Sequence, residues 1–238
     1  MSEGLKILYE DDTLLVLDKP AGFPVWQESS LKEGSVSGQT IAHMLKEQFP
    51  TQALLGEELR YGIAHRLDKD TSGVLLAAKT KEMFTYLQAQ FKARAVEKTY
   101  VCLVQGQIKR DEGTIDTLLG RAPQDRRKQK AYSIFDPNQE GKRRALTEYR
   151  VIKRFAEYTL LEAYPKTGRK HQIRAHFAFL GHPLAGDKLY SFKNQPAPEG
   201  LHRQFLHALR LKVPLANGTS KEFISELPGD LREILSKI

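Results

Sequence analysis

The stretch His65–Gly73, HRLDKDTSG, puts two carboxylates, two cations, two hydroxyls and a glycine into nine residues. Its second half, DKDTSG, has oxygen donors at positions one, three and five and glycine at six, the opening of an EF-hand calcium loop. Such a loop must close on a bidentate carboxylate at position twelve, and twelve from Asp68 is Lys79, a cation. The next run, VLLAAK (74–79), is short and apolar between Gly73 and Thr80, which predicts a buried strand where an EF-hand needs its exiting helix. The calcium reading loses on both counts, and the purpose of the segment stays open.

Two more polar clusters sit in otherwise apolar surroundings. TGRKHQIRAH (167–176) opens a predicted helix with three cations and two histidines, and HPLAGDKLY (182–190) follows it. Singly they have bland readings: Arg174 as a solvated helix residue, Asp187 as a turn former, Thr71 and Ser72 as local caps. Jointly they look like a site. His171, His176 and His182 follow one another at spacings of five and six, which do not share one helical face, so structural or RNA-contacting histidines are favoured over a metal site. The chain has no GxGxxG after a strand, no P-loop, no GxSxG and no HExxH, and its HRLD is not the HRDL of a kinase loop. Chemistry here is expected to need no nucleotide, metal or redox cofactor.

Apolar and polar periodicity predicts the elements that must hold these clusters. ILYE (7–10) and TLLVLD (13–18) read as strands around the turn-forming Asp11-Asp12, broken by KPAG (19–22) and a loop rich in Gly and Ser, ESSLKEGSVSG (28–38). TIAHMLKEQF (40–49) predicts a helix burying Ile41, Met44, Leu45 and Phe49. TKEMFTYLQAQFKAR (80–94) predicts another, with Thr80 as N-cap and Phe84, Leu87 and Phe91 facing inward. EKTYVCLVQG (97–106), ALTEYRVIKRF (145–155) and EYTLLEAYP (157–165) have strand composition, the last two close enough for a hairpin. HQIRAHFAFLG (171–181) predicts a helix with Ile173, Phe177 and Leu180 inside, FLHALRLKVP (205–214) a strand and LREILSKI (231–238) a closing helix. Strands that cluster as hairpins favour an α+β fold, a mixed and largely antiparallel central sheet flanked by helices, over a doubly wound sheet.

The chain of 238 residues is 40% hydrophobic and 28% charged, ordinary values for one globular domain spanning 1–238. The excess of 37 Lys and Arg over 29 Asp and Glu gives a net charge of +8, which favours a polyanionic partner. MSEGLKILYEDD shows neither a secretory signal nor a membrane span, and the single cysteine, Cys102, has no partner in the chain for a disulfide; a cytoplasmic location is expected.

HRLDKDTSG, KPAG, EKTY, TGRKHQIRAH, GHPLAGDKLY and LHA (206–208) together resemble, in order, the pseudouridine synthases of the RluA type, from about Leu15 to about Val213. The resemblance implies one pseudouridine synthase catalytic domain over 1–238, acting without a cofactor on a uridine of structured ribosomal or transfer RNA. It makes Asp68 the catalytic aspartate, as nucleophile or base, and Arg174 the cation that keeps it ionised against burial. It gives Tyr100 the role of an aromatic face for the flipped uracil and a proton-shuttling hydroxyl, Arg66 that of entering the helix where the base leaves, and Leu206 a place lining the pocket. The chain departs from the family at PVWQESS (24–30), where many relatives carry VHP, which leaves that loop's contribution to RNA binding open. Many relatives also carry an N-terminal S4-like RNA-binding domain, and with strands beginning by about residue 5 a form lacking that domain is expected. Substrate choice then falls to RAPQDRRKQK (121–130) and GKRR (141–144), with Arg126, Arg127, Lys128, Lys130, Arg143 and Arg144 expected on phosphates, joined by Arg169 and His171. No obligate protein partner is evident, and a monomer is expected. Two alternatives are an RNA-binding protein with this fold but no turnover, and a calcium-binding or structural module.

Overall fold

A computed structural model describes residues 5–26, 39–50, 60–192, 197–215 and 217–238. In chain order its elements are β1 (Lys6–Glu10), β2 (Leu14–Lys19), α1 (Ile41–Gln48), β3 (Ser72–Ala78), α2 (Lys81–Ala93), β4 (Glu97–Gln105), β5 (Glu112–Arg121), β6 (Gln129–Tyr132), β7 (Arg143–Arg154), β8 (Tyr158–Pro165), α3 (Gln172–Phe179), β9 (Leu206–Pro214), β10 (Ser220–Ile224) and α4 (Gly229–Lys237). The chain forms two compact units, each assembled from two stretches: Met1–Glu97 with Ala208–Glu226, and Lys98–His207 with Leu227–Ile238.

In the first unit β1 pairs antiparallel with β2, β2 with β3, and β9 with β10. The β1–β2 turn is held by Asp11, whose Oδ1 accepts from the backbone N–H groups of Thr13 and Leu14, both at 2.8 Å. Every residue of β3 is buried. Its Val74 and Leu76 pack with Leu14, Val16, Leu211 and Val213 against Phe84 and Leu87 of α2. Both helices of this unit start on a threonine as such caps require. Thr40 Oγ1 accepts from His43 N–H at 3.1 Å and Thr80 Oγ1 from Met83 N–H at 3.2 Å. The predicted inward residues of α2 follow suit, Phe84 and Leu87 buried and Phe91 half-buried.

In the second unit the antiparallel pairs are β4–β8, β8–β7, β7–β5 and β5–β6. The β7–β8 hairpin anticipated from spacing is present. Cys102, Val104, Ile115, Leu161 and Ala163 form a core on which α3 lays Ile173 and Phe177. The α+β class with largely antiparallel strands is therefore the observed one. Three strands went unpredicted, β5, β6 and β10. Leu180, expected inside, is 40% exposed, because α3 ends at Phe179 and Leu180 is its C-cap. The predicted loop 28–38 lies outside the described residues. No described helix is long and apolar enough to cross a membrane.

Candidate active site

In the first unit HRLD lies outside any helix or strand, and its side chains alternate in role. His65 Nε2 accepts the N–H of Leu76 in β3 at 3.0 Å, and its ring stacks on Phe91 with centroids 4.6 Å apart. Leu67 is buried, while Arg66 is exposed and Asp68 half-buried. Asp68 then opens a turn, its backbone carbonyl accepting from Thr71 N–H at 3.1 Å. The turn is fastened from below by Lys19, fully buried, whose Nζ donates to the carbonyls of Pro20, Lys69 and Thr71 at 2.9 to 3.0 Å. Gly73 ends it with φ +120°, and a Cβ there would lie 2.2 Å from the Ala208 carbonyl oxygen, so the close approach of β9 demands glycine. The strand predicted in place of an EF-hand's exiting helix is β3, and Lys79 beyond it pairs with Glu10 at 2.9 Å.

In the second unit α3 has no side-chain N-cap; His171 precedes it in the left-handed region, φ +54°. Gln172 fixes the start instead. Its Oε1 accepts from Thr167 Oγ1 (2.6 Å) and Arg169 N–H (3.0 Å), and its Nε2 donates to the Leu146 carbonyl (3.0 Å) and Thr147 Oγ1 (2.9 Å). All four hydrogen-bonding positions of the amide are used, which sets the helix phase and so the direction of Arg174. Arg174 is 7% exposed, which removes the solvated reading. Its Nε and Nη2 donate to Asp187 at 2.7 and 2.9 Å, a bidentate pair with a fully buried carboxylate. Asp187 also accepts the N–H groups of Leu189 (2.9 Å) and Tyr190 (3.1 Å), so it is both turn former and ion-pair partner. The Arg174 guanidinium lies over the Tyr190 ring at 5.1 Å. Tyr190 Oη accepts the N–H of Gln129 (2.7 Å) and hydrogen-bonds His171 Nδ1 (3.1 Å).

The other expected residues of this unit fall around the same core. Leu206 is buried within the cluster that contains Ile173 and Phe177, and Tyr100, half-buried on β4, packs against it. His176 sits fully buried between Thr117 Oγ1 at 3.0 Å and Thr147 Oγ1 at 2.9 Å, and burial pushes its pKa down to about 4. It is a structural histidine, served by two hydroxyls in its neutral form. His182 Nδ1 is 2.8 Å from the Gln105 carbonyl oxygen.

The basic segments meet at one end of β5. RAPQDRRKQK joins β5 to β6, and β5 places Gly120 opposite Lys130 on one side and Leu119 opposite Arg143 on the other. Within this group Arg127 binds Asp125 through Nε (2.9 Å) and Nη2 (2.8 Å), and Arg144 binds Asp116 at 3.0 and 2.6 Å. The Arg144 bond holds the Asp116 carboxyl below the usual carboxylate range. Exposed pairs of this kind are weak, so a phosphate can exchange with the carboxylate at small cost. Among the described residues, Arg126, Lys128 and Arg143 are cations that make no ion pair. Lys130 lies over Tyr132 at 5.0 Å, and Arg169 Nε donates to the Arg144 carbonyl at 3.3 Å.

Reading the sequence for function missed Lys19, Gln172, Asp187 and Tyr190 as the parts that position the rest. Lys19 stands in KPAG, Gln172 in HQIRAH, and the other two in GDKLY. Their presence in these motifs was a usable signal, but each also bonds a residue distant in sequence: Thr71 for Lys19, Leu146 for Gln172, Arg174 for Asp187 and Gln129 for Tyr190.

A family described as RNA pseudouridylate synthase matches residues 13–179. The chain is 41% identical, over 83% of its length, to an uncharacterized RNA pseudouridine synthase of Aquifex aeolicus. It is 38% identical, over 98% of its length, to the ribosomal large subunit pseudouridine synthase D of Nitrosomonas europaea. It spans 59% of the first of these relatives and 65% of the second. Among solved structures, human RNA pseudouridylate synthase domain containing 4 superposes with a TM-score of 0.76 at 26% identity, covering 98% of this chain and 92% of that one. The motifs, the antiparallel α+β framework and these likenesses agree, and the chain belongs to the RNA pseudouridylate synthase family.

Proposed function

We propose that this chain isomerises a specific uridine to pseudouridine in structured RNA, with Asp68 as the catalytic carboxylate. The observation that carries the reading is the HRLD segment in a chain of this family: the fold anchors His65 and Leu67, exposes Arg66 and leaves Asp68 half-buried on a turn fastened by a buried ammonium. The reaction breaks the bond from ribose C1′ to uracil N1, forms one from C1′ to C5, gives N1 a proton and releases the proton of C5. Nothing is oxidised or reduced, and proton handling by side chains is enough. Tyr100 supplies an aromatic face and a hydroxyl, Arg174 the positive charge that favours an ionised Asp68, and Leu206 an apolar wall. Arg66 enters the RNA helix in place of the uridine. Arg126, Lys128, Lys130, Arg143, Arg169 and His171, with Arg127 and Arg144 by exchange from their carboxylates, take the phosphates.

The family match runs through both compact units, which supports reading 1–238 as one catalytic domain. That the Nitrosomonas relative is named for the ribosomal large subunit supports ribosomal RNA as substrate, with transfer RNA the alternative. A monomer in the cytoplasm fits this reading. The test is release of tritium from RNA labelled at uridine C5. Wild type should release it and Asp68→Asn should fall to background while binding the same RNA. Wild-type release by the Asn variant, with deamidation excluded, overturns the assignment. Binding by wild type with no release from any structured RNA favours a binding protein instead.

A further inference from the structure

Trp26 is the only tryptophan of the chain and stands in the segment that departs from the family pattern. Its backbone is pinned from one side: the carbonyls of Pro24 and Val25 accept the first N–H groups of α1, from Ile41 at 3.0 Å and Ala42 at 2.9 Å, and Val25 is buried. From the other side Gly22 N–H donates to the Lys69 carbonyl at 3.0 Å, beside the hydrogen bonds of Lys19, so the loop bearing Trp26 and the loop bearing Asp68 are laced together. Trp26 is half-buried there. The guanidinium of Arg66 lies over its indole ring at 5.4 Å and that of Arg60 at 5.1 Å. Both distances are within the roughly 6 Å over which a ring face attracts a cation, and tryptophan is the strongest such ring. A long exposed side chain otherwise samples many rotamers, which must be given up when it engages a ligand.

We propose that Trp26 is a positioning residue for Arg66: its indole face holds the guanidinium in one direction before RNA arrives, so that Arg66 enters the helix of a paired target at a lower ordering cost. This rests on the reading of Arg66 as the residue that fills the space of the extruded uridine. The benefit is confined to targets that must be unstacked.

Because Trp26 is the only tryptophan, all indole emission reports this stack. Arg66→Ala in the free protein should shift that emission and raise its accessibility to a neutral quencher; unchanged emission and quenching overturn the stack. Under single-turnover conditions Trp26→Ala should slow isomerisation of a folded stem-loop by about two- to fivefold, the equivalent of one exposed cation–π interaction. It should lose distinctly less on the same RNA with the target already unstacked, and Trp26→Phe should restore part of the loss. Equal losses on both RNAs, or no rescue by Phe, overturn the positioning role while leaving the activity standing. Wild type that releases no tritium from either RNA overturns the underlying reading and this one with it, whatever the emission does.

Discussion

Asp68 and Asp187 stand in two motifs of the same family, one in each compact unit, and their surroundings are opposite. Asp187 is fully buried and its oxygens accept four hydrogen bonds, two from Arg174 and two from the backbone of the turn it closes. A carboxylate so saturated cannot attack or take a proton without surrendering a bond and stranding a buried guanidinium. Asp68 is half-buried, and what fastens its loop is the backbone: Lys19 grips carbonyls of the neighbouring residues. Here complete burial marks an acid that builds, and partial burial one that can react.

The sharpest way to break this comparison is to remove each carboxylate in turn. Asp187→Ala leaves Arg174 buried without its partner, which should cost about 3–5 kcal/mol and lower the melting point by roughly 10 °C. Asp68→Asn should cost under about 1 kcal/mol, because asparagine keeps the size of this half-buried side chain and most of its hydrogen bonding. Denaturant and thermal unfolding of both variants decide it, and similar destabilisation by the two would erase the distinction.

His176 extends the same argument to pH. Its ordinary pKa of 6.5 is pushed down to about 4 by burial, so between those values the unfolded chain binds a proton that the folded chain refuses. Its stabilising effect is complete above about pH 6.5 and is lost as pH falls toward 4, at most roughly 3 kcal/mol. Urea unfolding at neutral pH and near pH 4.5 should show this loss in wild type and a smaller one in His176→Gln. An equal acid sensitivity in the variant would assign the loss to other groups.

The smallest expected effect concerns the basic end of β5. Replacing Arg126 and Lys128 by Gln should reduce the slope of log affinity against log salt by about 0.7 to 0.9 for each phosphate that is no longer neutralised. Arg127→Gln should change it less, because Asp125 already shares that charge. Binding titrations across salt concentrations measure both, and an unchanged slope in the double variant makes these residues solvated surface only.

What could be read from the sequence was what is local. The threonine cap of α2, the hairpin of β7 and β8 and the strand after Gly73 follow from neighbours a few residues apart, and all are present. β6 has four residues, one of them buried, and begins inside a run of cations that reads as a loop. β10 buries only Phe223, and β5 mixes glycines and threonines into its alternation. Such strands exist because a neighbouring strand pairs with them, which no window of sequence contains. The site divides the same way. Asp187 as a turn former bonds residues two and three further on and was legible, whereas Arg174 and Asp187 are thirteen apart and joined by the path of the chain between α3 and β9.

Lys19 gives the loop that carries Asp68 an internal lock that chemistry can probe. Its ammonium is fully enclosed and holds three carbonyls, two of them in the turn that Asp68 opens. An amine-reactive reagent cannot reach it unless that loop opens, so the rate at which Lys19 is labelled, against the exposed lysines, is a clock for local opening. Once acylated, the side chain has lost its charge and two of its three donors and has gained bulk, and the loop cannot close as before. Acylation at this position would therefore convert a transient opening into a permanent one.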